Sequence, residues 1–202
     1  MSGQSKTDLV QEELVKPLAP SVLIIAFACA VFPSSAEIRK TVVPDGKEER
    51  VFWWPVLPKA DGWVHDENSS RTIGANVLVP VGGTFADAPA VIYAKALARQ
   101  RMPATKTLAQ LIAEDRREFA RKVPGVRISE VAPIRDGEGR DLRCLEFVPA
   151  AKGSWERVAY GEEGGFYVIF TVSAQDQATL RKTVPQFEDL VARYRRQLHD
   201  GR

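Results

Sequence analysis

The chain has 202 residues, with 28 Lys and Arg against 26 Asp and Glu, a formal net charge of +2 and 45% hydrophobic residues. Charges of both signs are interspersed, which argues against a nucleic-acid binder with one concentrated basic patch, and the ordinary composition argues against a disordered or fibrous chain. The length suits one domain that buries its own core without metal or disulfide help.

In chain order, the first feature is an apolar run from Leu18 to Phe32, which follows Lys16 and leads into Pro33-Ser34-Ser35-Ala36. At 15 residues it falls short of the roughly 20 that span a bilayer. The small residues at 34 and 36 match a leader cut after Ala36. Residues 1–36 are therefore expected to be a signal peptide or leader helix, and the rest a periplasmic or secreted domain. Asp8, Glu12 and Glu13 are unusual before such a run. The alternatives are an uncleaved anchor, a start later than Met1, and a lipid-modified Cys29, which the preceding Ala26-Phe27-Ala28 fits badly. Once Cys29 is removed, Cys144 is alone and no intramolecular disulfide can form. In the strand-like run Leu142 to Phe147, Cys144 reads as a small buried hydrophobe.

Residues 37–61 read as an N-terminal extension. Pro44-Asp45-Gly46 is a turn between two short strands, and the second ends in Val51-Phe52-Trp53-Trp54-Pro55, with Pro55 confined to an edge or an end. The main domain, 62–198, starts with a polar turn around His65-Asp66-Glu67 and strands at Ile73 to Val79 and Ala90 to Leu97. Thr107-Leu108-Ala109-Gln110 has the form of a capping box. Leu108, Leu111, Ile112, Phe119 and Val123 follow at helical spacing until Pro124-Gly125 stops the run. Strands at Val126 to Ile134, Arg140 to Val148, Ser154 to Tyr160 and Phe166 to Val172, with Gly-rich breaks, predict an antiparallel meander. A short helix is expected from Gln175 to Lys182. Thr183-Val184-Pro185-Gln186 then reads as a second capping box, opening a helix with Phe187, Leu190, Val191, Tyr194 and Leu198 on one face. Arg193, Arg195 and Arg196 read as solvated cations at its end. The expected class is α+β: a mainly antiparallel sheet of about six strands, flanked by two main amphipathic helices, after an N-terminal leader helix.

Gly62-Trp63, the strand end Val77-Leu78-Val79-Pro80, Trp155-Glu156, the mid-chain helix and the closing Phe187, Leu190, Val191 and Tyr194 resemble the PsbP-like family over about 62–196. The resemblance implies an exported antiparallel sheet flanked by helices that acts as a binding or assembly factor rather than an enzyme.

Catalytic signatures are absent: the chain has no P-loop, no G-x-G-x-x-G, no H-E-x-x-H, no C-x-x-C and no G-x-S-x-G. His65-Asp66-Glu67 is the cluster with acid–base or divalent-cation chemistry. Neighbours at i, i+1 and i+2 do not converge on one point, so further ligands, such as Glu162 or Glu163, would be required. The plainer expectation is a polar turn at 65–67 and a hairpin with solvated charges at Glu162-Glu163-Gly164-Gly165. Trp53, Trp54 and Trp63 form an aromatic group that is either a recognition surface or a buried sheet edge, with alternation sending Trp53 and Trp54 to opposite sides. Trp53, Trp54, Trp63, His65, Asp66 and Glu67 are thus the candidate binding residues, and His65 the candidate catalytic one. The expected function is a non-enzymatic binding or assembly-support domain whose partner is another envelope or secreted protein. No cofactor, metal or nucleic acid is implied, and membrane contact comes only through an uncut leader. The alternative is an extracytoplasmic hydrolase or metal-assisted enzyme using His65 and nearby carboxylates.

Overall fold

The computed structural model describes residues 38–45, 48–151 and 153–195; the leader, Cys29 and the Ala36 cut site lie outside them. Strands β1 (Ile38–Asp45) and β2 (Glu48–Pro55) form an antiparallel hairpin, with Asp45 opposite Glu48, Lys40 opposite Trp53 and Arg39 opposite Trp54.

The main sheet has seven strands: β3 (Trp63–His65), β4 (Asn76–Pro80), β5 (Ala90–Ala98), β6 (Arg127–Arg135), β7 (Asp141–Val148), β8 (Trp155–Glu163) and β9 (Phe166–Ala174). Their spatial order is β3-β4-β5-β9-β8-β7-β6, and each neighbouring pair is antiparallel. The chain is an α+β protein with a mostly antiparallel sheet. Seven strands replace the expected six or so in the main sheet, because β3 has only three residues, too few for alternation to mark.

Two other expectations fail for local reasons. The segment at 67–73 is a helix, α1 (Glu67–Ile73), not a turn. Asp66 accepts the Ser69 amide at 3.0 Å as its N-cap, and Gly74 ends it in the left-handed region at φ 70°, which glycine adopts without steric penalty. The next strand consequently starts at Asn76 rather than Ile73. Gly74 is needed twice over, since a Cβ there would meet the Phe52 ring at 2.2 Å.

The two helices expected around Thr183 are one helix, α3 (Gln177–Ala192). Asp176 caps it by accepting the Thr179 amide at 2.8 Å. Thr183 lies inside it and donates its hydroxyl back to the Thr179 carbonyl at 2.9 Å, a bond that competes with a capping role. Pro185 is exposed within the helix. The mid-chain helix α2 (Leu108–Lys122) opens with the complete capping box of Thr107 and Gln110.

Alternate residues of β7, β8 and β9 divide between two apolar clusters, as a period of two requires, while Val77, Val79 and Val91 of β4 and β5 form a third with Ala88. Tyr167 and Ile169 of β9, Val158 and Tyr160 of β8 and Leu145 and Phe147 of β7 pack with Leu111 and Ile112 of α2. Val168, Phe170 and Val172 of β9, Ala159 of β8 and Cys144 of β7 pack with Leu180, Phe187, Leu190 and Val191 of α3.

Candidate functional site

The 63–67 segment is held by local bonds. His65 Nε2 lies 2.9 Å from Ser70 Oγ. Ser70 is fully buried; its hydroxyl donates to the Asp66 carbonyl at 2.7 Å and accepts the Val77 amide at 2.9 Å. With the hydroxyl proton committed to Asp66, the imidazole is the donor of the pair, so its Nε2 carries the proton and Ser70 is no nucleophile for it. Asp66 is spent on the Ser69 amide and hydroxyl, which hold its carboxyl below the usual carboxylate range. Glu67 faces Arg71 along the exposed side of α1.

Glu162 and Glu163 do not join them. Glu162 lies 3.6 Å from Arg99. Glu163 is buried, not solvated, and accepts the Tyr194 hydroxyl at 2.7 Å. Among the described residues no group of three or more His, Cys, Asp or Glu converges on a metal position.

The tryptophans part company. Trp54 is buried. Trp63 packs against the α3 cluster and donates Nε1 to Gln186 Oε1 at 3.2 Å. Trp53 packs over Phe166, with ring centroids 5.1 Å apart, and its buried Nε1 has no acceptor. It lines a slot of about 150 Å³ with Phe52, Lys95, Ala96, Arg101 and Met102.

A second, larger feature was not among the sequence candidates. A groove of about 420 Å³ runs between α2 and the sheet, lined by Lys95, Leu97, Leu111, Asp115, Arg117 and Ile169, with Glu114, Glu118 and Arg121 on its helical wall. All three carboxylates of the lining are engaged: Glu114 accepts the Thr105 hydroxyl at 2.8 Å, Asp115 accepts the Tyr160 hydroxyl, and Glu118 pairs with Arg121 and Lys122 at 2.8 and 3.0 Å. Arg117 forms no ion pair among the described residues.

Beside the groove, the strand register aligns Val91 with Ser173 and Glu156, and Tyr93 with Thr171 and Val158. Ser173 donates to Glu156 at 3.1 Å. Burial pushes the Glu156 carboxyl up to about 7, aided by the nearby Asp115 charge and opposed by the Ser173 hydroxyl and Lys95. Burial likewise raises the Tyr93 and Tyr160 phenols, with Glu156 and Asp115 adding repulsion. The signal for this cluster was present but faint: Glu156 is a carboxylate in the same strand phase as the apolar Val158 and Tyr160.

Cys144, on the opposite side of the sheet, is buried and bonded to the Leu142 carbonyl at 3.4 Å, and burial raises its thiol to about 11. No helix among the described residues is long and apolar enough to cross a membrane.

No family model matches the chain, and no curated protein matches it. The chain is similar to the crystal structure of a protein of unknown function, PA94 from Pseudomonas aeruginosa, at 13% identity and a TM-score of 0.43, over 76% of this chain and 94% of that one.

Proposed function

We propose that this chain is an exported, non-enzymatic binding or assembly-support domain. Its contact surface is the groove between α2 and the sheet, and its partner is another envelope or secreted protein. The groove carries the reading. It joins an apolar floor of Leu97, Leu111 and Ile169 to a wall of both charge signs, the mixture that favours selective association over simple burial. The commitment of His65, Asp66 and Glu67 to the start of α1 supports a role without His65 chemistry. The apolar run and Ser34-Ser35-Ala36 support export, with 1–36 as leader, 37–61 as extension and 62–198 as the functional domain. A sheet flanked by two amphipathic helices supports the PsbP-like resemblance.

The test is capture from envelope extract, using the mature chain and its Arg117→Glu variant as baits. Arg117 lines the groove from an exposed position, so its reversal leaves the fold intact. A protein retained by the parent and depleted several-fold on the variant is expected. Equal recovery on both baits removes the groove from the reading.

One observation favours the hydrolase alternative: a carboxyl that titrates near neutrality beside a groove is suited to general acid–base work. It moves the acid–base role from His65 to Glu156.

A further inference from the structure

We infer that α2 is a pH-gated wall of the groove: its turn from 115 to 119 closes on the sheet while Glu156 holds a proton and lifts when Glu156 ionises. The inference rests on the groove as the contact surface and adds what regulates it. Strand phase sets the geometry. Glu156 of β8 stands opposite Phe147 of β7 and Ser173 of β9, in the same phase as Val158 and Tyr160, which pack with α2. The Phe119 and Phe147 rings lie 4.5 Å apart, centre to centre. One turn earlier in α2, Asp115 accepts the Tyr160 hydroxyl. These contacts bring the second half of α2 to Glu156.

Each element packed there contributes to the balance. Helix α2 brings Asp115, β5 brings Lys95 and Tyr93, and β8 brings Tyr160. Strand β9 supplies the Ser173 hydroxyl, which donates to Glu156 at 3.1 Å, and β7 supplies Phe147, which carries no charge. The two charged neighbours, Asp115 and Lys95, both line the groove, one from the helix and one from the sheet. The charge on Glu156 therefore acts on both sides of the groove at once.

A neutral Glu156 is satisfied by the Ser173 bond. An ionised Glu156 is a charge beside apolar side chains, repelled by Asp115 and solvated by one hydroxyl. Lifting the 115–119 turn removes the like charge and admits water, while Lys95 stays within reach on β5. Burial, with the Asp115 charge adding to it, raises the closed-state carboxyl to about 7. In the open state it returns toward the roughly 4.3 of a free glutamate. Closure is therefore fully favoured below the open-state value and is lost as pH rises through the closed-state one. Between pH 6 and pH 8 this linkage raises the opening constant about tenfold.

Amide hydrogen exchange on the ¹⁵N-labelled chain reads the opening, each rate being divided by the intrinsic rate at its pH. Amides of residues 115–122 are expected to exchange faster than those of Leu190 and Val191, which pack on the opposite face of the sheet, because a local opening precedes unfolding of the whole molecule. From pH 6 to pH 8 their corrected rate is expected to rise about tenfold in the parent. In Glu156→Gln, which keeps the neutral shape at every pH, it is expected to stay flat. Exchange at 115–122 no faster than at Leu190 and Val191, a flat corrected rate in the parent, or the same rise in the variant each overturns the gate. The readout involves no partner and no change at Arg117. Failure of the gate thus leaves the groove standing, and loss of the groove as contact surface leaves the motion of α2 measurable.

Discussion

Glu156 is the residue whose setting departs furthest from what its type prefers. A carboxylate belongs in water, yet strand phase places this one beside Val158 and Tyr160, with a Ser173 hydroxyl as its hydrogen-bond partner. Its folded-state value of about 7 lies above the roughly 4.3 of a free glutamate. The folded state therefore holds a proton that the unfolded chain releases. The associated stability is complete below about pH 4 and declines as pH rises through the folded value near 7. Glu156→Gln removes the titration while keeping the shape. It should flatten the pH dependence and leave the variant more stable than the parent at pH 8 by a few kcal/mol at most, as measured by urea denaturation across this range. If the chain is a binding domain, the same variant restores a deletion strain as well as the parent does. A stable, exported Glu156→Gln protein that fails to do so transfers the function to acid–base chemistry.

Among the elements, α2 and α3 show two degrees of legibility. The start of α2 is written in four consecutive residues, because a capping box is satisfied entirely by near neighbours. Thr183-Val184-Pro185-Gln186 has a similar composition, yet α3 runs through it. Asp176 already provides a cap seven residues earlier, and Leu180 and Thr183 are buried along with Phe187 and Leu190. Continuous burial of one helical face outweighs the bond that a proline removes. Leu190 is fully buried against the sheet cluster, so Leu190→Ala should cost about 2 to 5 kcal/mol. A lowered urea midpoint with an unchanged slope is the expected result; an unchanged midpoint contradicts the docking of α3.

For the whole molecule, the export proposal makes its own prediction. Processing after Ala36 should give an envelope species that begins at Glu37, identified by N-terminal sequencing and intact mass. A full-length chain retained in the membrane would replace a released domain with a tethered one. In either form the remainder is an α+β chain with an antiparallel meander from β6 to β9. That meander was legible because Gly137, Gly139, Gly164 and Gly165 punctuate strands that pair with their neighbours in sequence. The class, the four strands of the meander and the start of α2 are determined by the sequence alone, since alternation, turn chemistry and capping act over a few residues, whereas the three-residue β3 is not. The groove and the slot are decided only by tertiary structure. Tyr160 meets Asp115 across 45 residues and Tyr194 meets Glu163 across 31, and Trp53 loses its water because a separate hairpin closes over an edge of β5 that β4 leaves bare. Burial and partners set the charge state and availability of such groups, and chain-distant contacts of this kind leave no periodic trace in the sequence.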